Sequence, residues 1–292
     1  MQPPGDHAGI VRVTPTQSFL NLELTLHSGQ VFHWERCGAG WAAMVGEAAL
    51  YLEQRDGDLW TVRGDEERAA HYLALDHPLE VMEASLPDDD AMRAALELGR
   101  GMRIVRQPLW ECLATFITSS MKQVAHIRTM SMALRLRFGE PTEFLGMKLH
   151  AYPGPRRVAG LEEADLRGCG LGYRAPNLLA TARRVASGEA EIEAWRALPT
   201  AEVRSRLCTL PGVGEKVANC VLLFGYGRLE SVPVDVWIAR ILRTVYLRGK
   251  RNVTPARMAQ FAANYFGPYA GYAQQLLFHH ARSTWKRGAA RG

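Results

Sequence analysis

The fold turns on one stretch: Leu210-Pro211-Gly212-Val213-Gly214-Glu215-Lys216-Val217-Ala218. Apolar residues at helical spacing flank it, over 201–208 and over 215–224. Pro211 stops the first helix, because it lacks a donor and its ring clashes with the preceding turn. Gly212 and Gly214 are expected to take backbone angles that other residues resist. The product is a tight hairpin between two helices. The second helix starts with exposed N–H groups, a ready site for an anion such as a phosphate. A lone Pro-Gly turn is common and carries little weight. The whole string is far more specific.

Outward from the hairpin, the chain has two characters. Leu20, Leu22, Leu24 and Leu26 alternate with mostly polar residues, which predicts a half-buried strand. Val31-Phe32-His33-Trp34 reads as its returning strand after a turn at His27–Gln30. Strands are also expected over 41–45, 48–53 and 59–62, with a tight turn at Asp56-Gly57-Asp58. From Asp88 the period becomes helical. Two helices are expected within 109–138, broken near Ser119-Ser120. Others are expected over 164–168, 176–187, 201–208, 215–224, 236–246, 255–266 and 269–285. The fold class is α+β, an N-terminal antiparallel sheet packed on a mostly helical body. Residues 1–95 are assigned to the sheet domain and 96–292 to the helical region, whose two subdomains flank a cleft. The final Lys286-to-Gly292 stretch reads as a basic tail.

Composition sets the outer limits. The 292 residues are 47% hydrophobic and 22% charged, ordinary values for a globular protein. A formal charge of +5 and a pI near 9.0 suit a polyanionic partner, though acidic and basic residues are interspersed. Five widely spaced cysteines form no CxxC pair, so neither a zinc site nor an iron–sulfur cluster is expected. Neither a signal peptide nor a membrane span is recognisable, so an intracellular location is expected.

Lys216 falls in the first turn of the helix after the hairpin. The positive end of a helix disfavours an ammonium there, and burial adds to that. Such an amine is suited to nucleophilic attack on an electrophilic carbon. Ser231-Val232-Pro233-Val234-Asp235 follows, and Asp235 can cap the helix that starts at Val236. Its carboxylate can also stabilise a developing cation. By themselves these residues fit a solvated lysine and a simple cap better than a catalytic pair.

The hairpin string with the downstream aspartate resembles the helix-hairpin-helix family of base-excision DNA glycosylases. Three further segments resemble its 8-oxoguanine branch, so that the likeness spans roughly residues 18 to 282: Ser28-Gly29-Gln30-Val31-Phe32-His33-Trp34, Gly170-Leu171-Gly172-Tyr173-Arg174-Ala175, and Gly267 through Phe278. The resemblance implies that Lys216 is the nucleophile and Asp235 its partner in catalysis. It implies that the Gly29 carbonyl accepts the N7–H of the oxidised base, which guanine lacks. Gln274 bonds the flipped base's edge, while Phe278 and Cys220 cover its two faces. Tyr173 wedges into the duplex, Arg174 touches the orphaned opposite base, and Gly212, Val213 and Gly214 meet the backbone. The implied partner is duplex DNA containing oxidised guanine, bound by a monomer that needs no organic cofactor.

The sequence departs from the family at the opposite-base readers. Met121 and His126 stand where relatives carry asparagine and arginine, so a relaxed opposite-base preference is expected. A glycosylase of different range, such as one for alkylated purines, is the nearest alternative. A non-catalytic DNA-binding module is the more distant one.

Overall fold

The computed structural model describes residues 9–13, 19–120, 122–249 and 252–285. Met121 and the 286–292 tail lie outside them. The N-terminal part contains β1 (Ile10–Arg12), α1 (Leu22–His27), β2 (Glu35–Cys37), β3 (Gly40–Val45), β4 (Ala48–Arg55) and β5 (Asp58–Val62). The strands form one antiparallel sheet in the order β1-β5-β4-β3-β2. Arg55 pairs with Asp58 across a two-residue turn, where Asp56 and Gly57 both have positive φ. That is the hairpin geometry whose twist matches the strands. Trp34, Trp41, Leu50, Leu52 and Leu59 fill the core beneath the sheet.

Two expected strands are corrected. Three of the alternating leucines, Leu22, Leu24 and Leu26, lie in α1, because the Asn21 side chain accepts the Leu24 N–H at 3.0 Å and caps a helix. Leu22 and Leu26 are four apart, so a helix buries them on one face just as well. Residues 31–34 join no ladder. Phe32 turns instead into the helical body and meets the Phe116 ring edge-on, centroids 6.4 Å apart.

The helical body begins with α2 (Glu66–Tyr72), α3 (Leu79–Ala84), α4 (Asp90–Leu98), α5 (Leu109–Thr118) and α6 (Val124–Phe138). A hairpin follows, β6 (Pro141–Phe144) and β7 (Met147–His150). Then come α7 (Pro155–Ala159), α8 (Glu163–Gly168), α9 (Ala175–Ala186), α10 (Thr200–Cys208) and α11 (Glu215–Phe224). The chain ends with α12 (Val236–Ile241), α13 (Pro255–Phe266) and α14 (Ala270–Thr284). Helix α12 continues as a π-helical turn, Leu242–Tyr246. One core gathers α5, α6, α9 and α11, and a second gathers α4, α12, α13 and α14. The cleft between these two cores holds the site described below. Among the described residues no helix is long and apolar enough to cross a membrane.

A buried ion pair ties the sheet to the body. Arg135 of α6 bonds Glu111 of α5, and His33 Nδ1 lies 3.4 Å from the same carboxylate. Arg135 also donates to the His150 carbonyl at 3.2 Å. Burial pushes the Glu111 carboxyl up, against the opposing pull of Arg135. Burial, then the Arg135 charge, holds His33 well below its ordinary value, so its ring is neutral. Removing one partner from such a pair strands a buried charge. Arg135→Met alone should therefore lower unfolding stability by about 3–5 kcal/mol in urea titrations. Glu111→Gln with Arg135→Met should recover most of the loss. A single variant as stable as wild type contradicts this role.

Candidate active site

Helix α10 ends at Cys208 with Thr209 as its C-cap, and the chain reverses through Leu210–Gly214. Gly212 has φ +79°, a left-handed conformation that side chains rarely adopt. A Cβ there would also lie 2.8 Å from Asn177 Cβ and 3.1 Å from Ile117 Cγ2. The Thr181 hydroxyl donates to the Pro211 carbonyl at 2.9 Å, pinning the hairpin to α9. Val213 is buried beneath the turn. Gly214 corrects the expectation: its φ of −99° and ψ of −179° are extended backbone that any residue adopts. Nothing lies within 4 Å of a Cβ built on it. Its smallness leaves open space before the start of α11, where no side chain caps the exposed N–H groups.

Lys216 lies half-buried in the first turn of α11. Its Nζ donates to Ser119 Oγ at 3.0 Å and sits 5.5 Å from the Phe116 ring centroid. The Ser119 hydroxyl in turn donates to the Phe116 carbonyl at 2.8 Å. Phe116 stacks on Phe224, centroids 5.4 Å apart, so the amine rests on an apolar wall. Asp235 is the N-cap of α12 and accepts the Ile238 N–H at 2.8 Å. Burial pushes its carboxyl up, and the Ile238 N–H and the Lys216 charge pull it partly back. Cys220, one turn beyond Lys216, is 3% exposed, and burial pushes its thiol up to about 11. It is therefore a neutral thiol and not a competing nucleophile.

Lys216, Asp235 and Cys220 share a cavity of about 1170 Å³ with Gly29, Gln274 and Phe278. Gln274 and Phe278 are one turn apart on α14 and point the same way. Gln274 is 5% exposed, and its Oε1 has no hydrogen-bond partner. A buried acceptor left open costs about 1–3 kcal/mol unless a ligand donor fills it. Gly29 has φ +92°, and a Cβ there would come within 3.1 Å of the Phe278 ring. An amine at one wall, a carboxylate beside it and a polar-edged slot opposite can hold a flat heterocycle while the amine attacks a carbon bonded to it.

Tyr173 is 58% exposed, as a wedge requires. Arg174 is buried, unlike a free reader. Its guanidinium donates to the Ser120 carbonyl from Nε (2.9 Å) and from Nη2, stacks 4.1 Å from the Tyr173 ring centroid and reaches the Tyr173 hydroxyl at 2.9 Å. His126 is exposed near the start of α6. Sequence reading missed Arg282 and Ser119. Arg282 lines the cavity one further turn along the Gln274–Phe278 face, so the same four-residue spacing points to it. Ser119 becomes visible only when α5 and α11 are packed together. Among the described residues, no group of three or more His, Cys, Asp or Glu side chains is placed to hold a metal ion.

With this geometry in place, comparisons with known proteins identify the family. Residues 11–113 match the family model of the 8-oxoguanine DNA glycosylase N-terminal domain. Residues 115–266 match that of the HhH-GPD superfamily base excision DNA repair proteins. The Arabidopsis thaliana N-glycosylase/DNA lyase OGG1 is 32% identical, over 90% of this chain and 78% of that one. The solved structure of MBOgg1 with a low-affinity DNA ligand superposes with a TM-score of 0.88 at 31% identity, covering 95% of this chain and 96% of the other. The Clostridium acetobutylicum 8-oxoguanine glycosylase/lyase, solved with duplex DNA bearing cytosine opposite 8-oxoguanine, gives 0.85 at 25% identity, with 94% and 97% covered. The chain belongs to the 8-oxoguanine DNA glycosylase family of the HhH-GPD superfamily.

Proposed function

We propose that this protein excises 8-oxoguanine from duplex DNA and then cleaves the strand, using Lys216 as its nucleophile. The observation that carries the reading is the half-buried amine beside Asp235, facing a cavity in which a buried Gln274 acceptor is open. Relatives named N-glycosylase/DNA lyase and 8-oxoguanine glycosylase/lyase support the same activity.

In the proposed reaction the neutral Lys216 amine attacks C1′ of the flipped nucleotide. The C1′–N9 bond breaks, and its electron pair leaves with the base, which takes up a proton. The sugar passes through an oxocarbenium-like state, next to which Asp235 places negative charge. Loss of a proton from nitrogen and opening of the C1′–O4′ bond give a Schiff base. That cation acidifies C2′–H; its proton is lost, the C3′–O bond breaks, and the 3′-phosphate departs. Gly29 reads the N7–H, Gln274 reads the base edge, and Phe278 and Cys220 enclose the ring. The hairpin residues Gly212, Val213 and Gly214 grip a phosphate by backbone N–H groups, without regard to sequence. Tyr173 fills the stack beside the gap. The unit acts as a monomer, with residues 1–95 supplying Gly29 and 96–292 supplying the catalytic pair.

Opposite-base reading is proposed to be weak. His126 replaces an arginine, Met121 replaces an asparagine, and Arg174 is occupied by the Ser120 carbonyl. Single-turnover excision opposite adenine, guanine and thymine should fall within about tenfold of that opposite cytosine. A preference for cytosine of hundredfold or more contradicts this.

The direct test is base release and strand cleavage on an 8-oxoguanine duplex. Lys216→Gln should lose strand cleavage entirely. Asp235→Asn should slow base release by about 10²–10⁴. Asp235 acts ionised, and its carboxyl titrates above the ordinary range. Wild-type activity should therefore rise with pH through that raised value, and Asp235→Asn should lack this acidic limb. Strand cleavage by Lys216→Gln at the wild-type rate rules out the proposed nucleophile.

A further inference from the structure

We infer that Gln275 and Arg282 are positioning residues that aim the Gly29 carbonyl at the base. The inference rests on the proposed role of Gly29. Glycine has the softest backbone of any residue, so a carbonyl that must tell a donor from an acceptor needs outside support. Among the described residues no donor reaches the Gly29 carbonyl. Its direction depends on the peptide planes to either side.

Both planes are tied down. On the near side, the Ser28 carbonyl accepts from Gln275 Nε2 at 3.2 Å and from Arg282 Nη1 at 3.5 Å. Arg282 Nη2 also holds the His27 carbonyl at 3.0 Å. On the far side, the Gln30 carbonyl accepts from Gln107 Nε2 at 2.8 Å. The buried Gln30 amide group donates to the Arg103 carbonyl at 2.7 Å and accepts the Val105 N–H at 2.9 Å. Gly29 is the one link between the two anchors. A Cβ on it would sit 2.6 Å from Arg282 Nη1, so Arg282 also closes the space around the glycine.

Gln274 and Gln275 divide the work. Consecutive helix residues point about 100° apart, so Gln274 faces the cavity slot while Gln275, 3% exposed, faces the Ser28 loop. Hydrogen bonds weaken steeply as they bend, so a tilt of the Gly29 carbonyl weakens its bond to N7–H. The two α14 residues thus set base recognition through the Ser28 carbonyl.

An abasic site separates this role from a merely structural one, because it offers no base to read. Gln275→Met keeps the size and removes the donor; Gln275→Leu is the second variant. For each, single-turnover release of 8-oxoguanine opposite cytosine is compared with borohydride trapping on a preformed abasic duplex. Base release should fall about tenfold, the order of one lost hydrogen bond. Trapping should stay within about twofold of wild type, a change too small to count as a lost contact. Equal losses in both assays, or no loss in either, overturn the inference. A wild-type protein that traps abasic DNA but leaves 8-oxoguanine in place removes the proposed substrate, and this inference with it.

Discussion

Two helix N-termini converge on one cleft, and the rest of the structure keeps them there. Lys216 stands in the first turn of α11, and Asp235 caps α12. The convergence brings an amine and a carboxylate to the same cavity, the pairing that attack at a developing cation calls for. Asp235 is held by the Ile238 N–H while its charge reaches Lys216. The amine is braced by Ser119 against the Phe116 face.

Each core then serves that arrangement. The core around α5 and α11 sets the amine and its apolar wall, while the core around α12 and α14 sets the carboxylate and Gln274. The small sheet has a different task. Through Trp34, whose Nε1 donates to the Tyr72 hydroxyl at 3.0 Å, and through the His33–Glu111–Arg135 cluster, it fastens the Gly29 loop to the body. The cleft thus has one wall from the helices, carrying Lys216 and Asp235, and another from the loop between α1 and β2, carrying Gly29.

Much of this was legible in the sequence because it is local. Pro211 and Gly212 stop and turn a chain wherever they occur, and α11 and α13 fall on the predicted limits. The break between α5 and α6 lies where Ser119 and Ser120 place it. The leucine alternation misled, since Leu22 and Leu26 satisfy both periods and only the Asn21 cap decides. Helices α2 and α3 and the β6–β7 hairpin were not predicted; they are short and owe their form to tertiary packing. Ser119 and Gln275 act across elements far apart in sequence, which no local pattern records. Gly214 was read as a special backbone angle, whereas its value lies in the open space beside it.

The central claim is that one amine does the chemistry, so the most direct measurement is to find where the DNA becomes attached. Wild-type protein is incubated with an 8-oxoguanine duplex and borohydride, digested, and the modified peptide is mapped by mass spectrometry. The account predicts a reduced sugar adduct on Nζ of Lys216. An adduct on another amine, such as Lys122, or base release with no adduct at all, contradicts it.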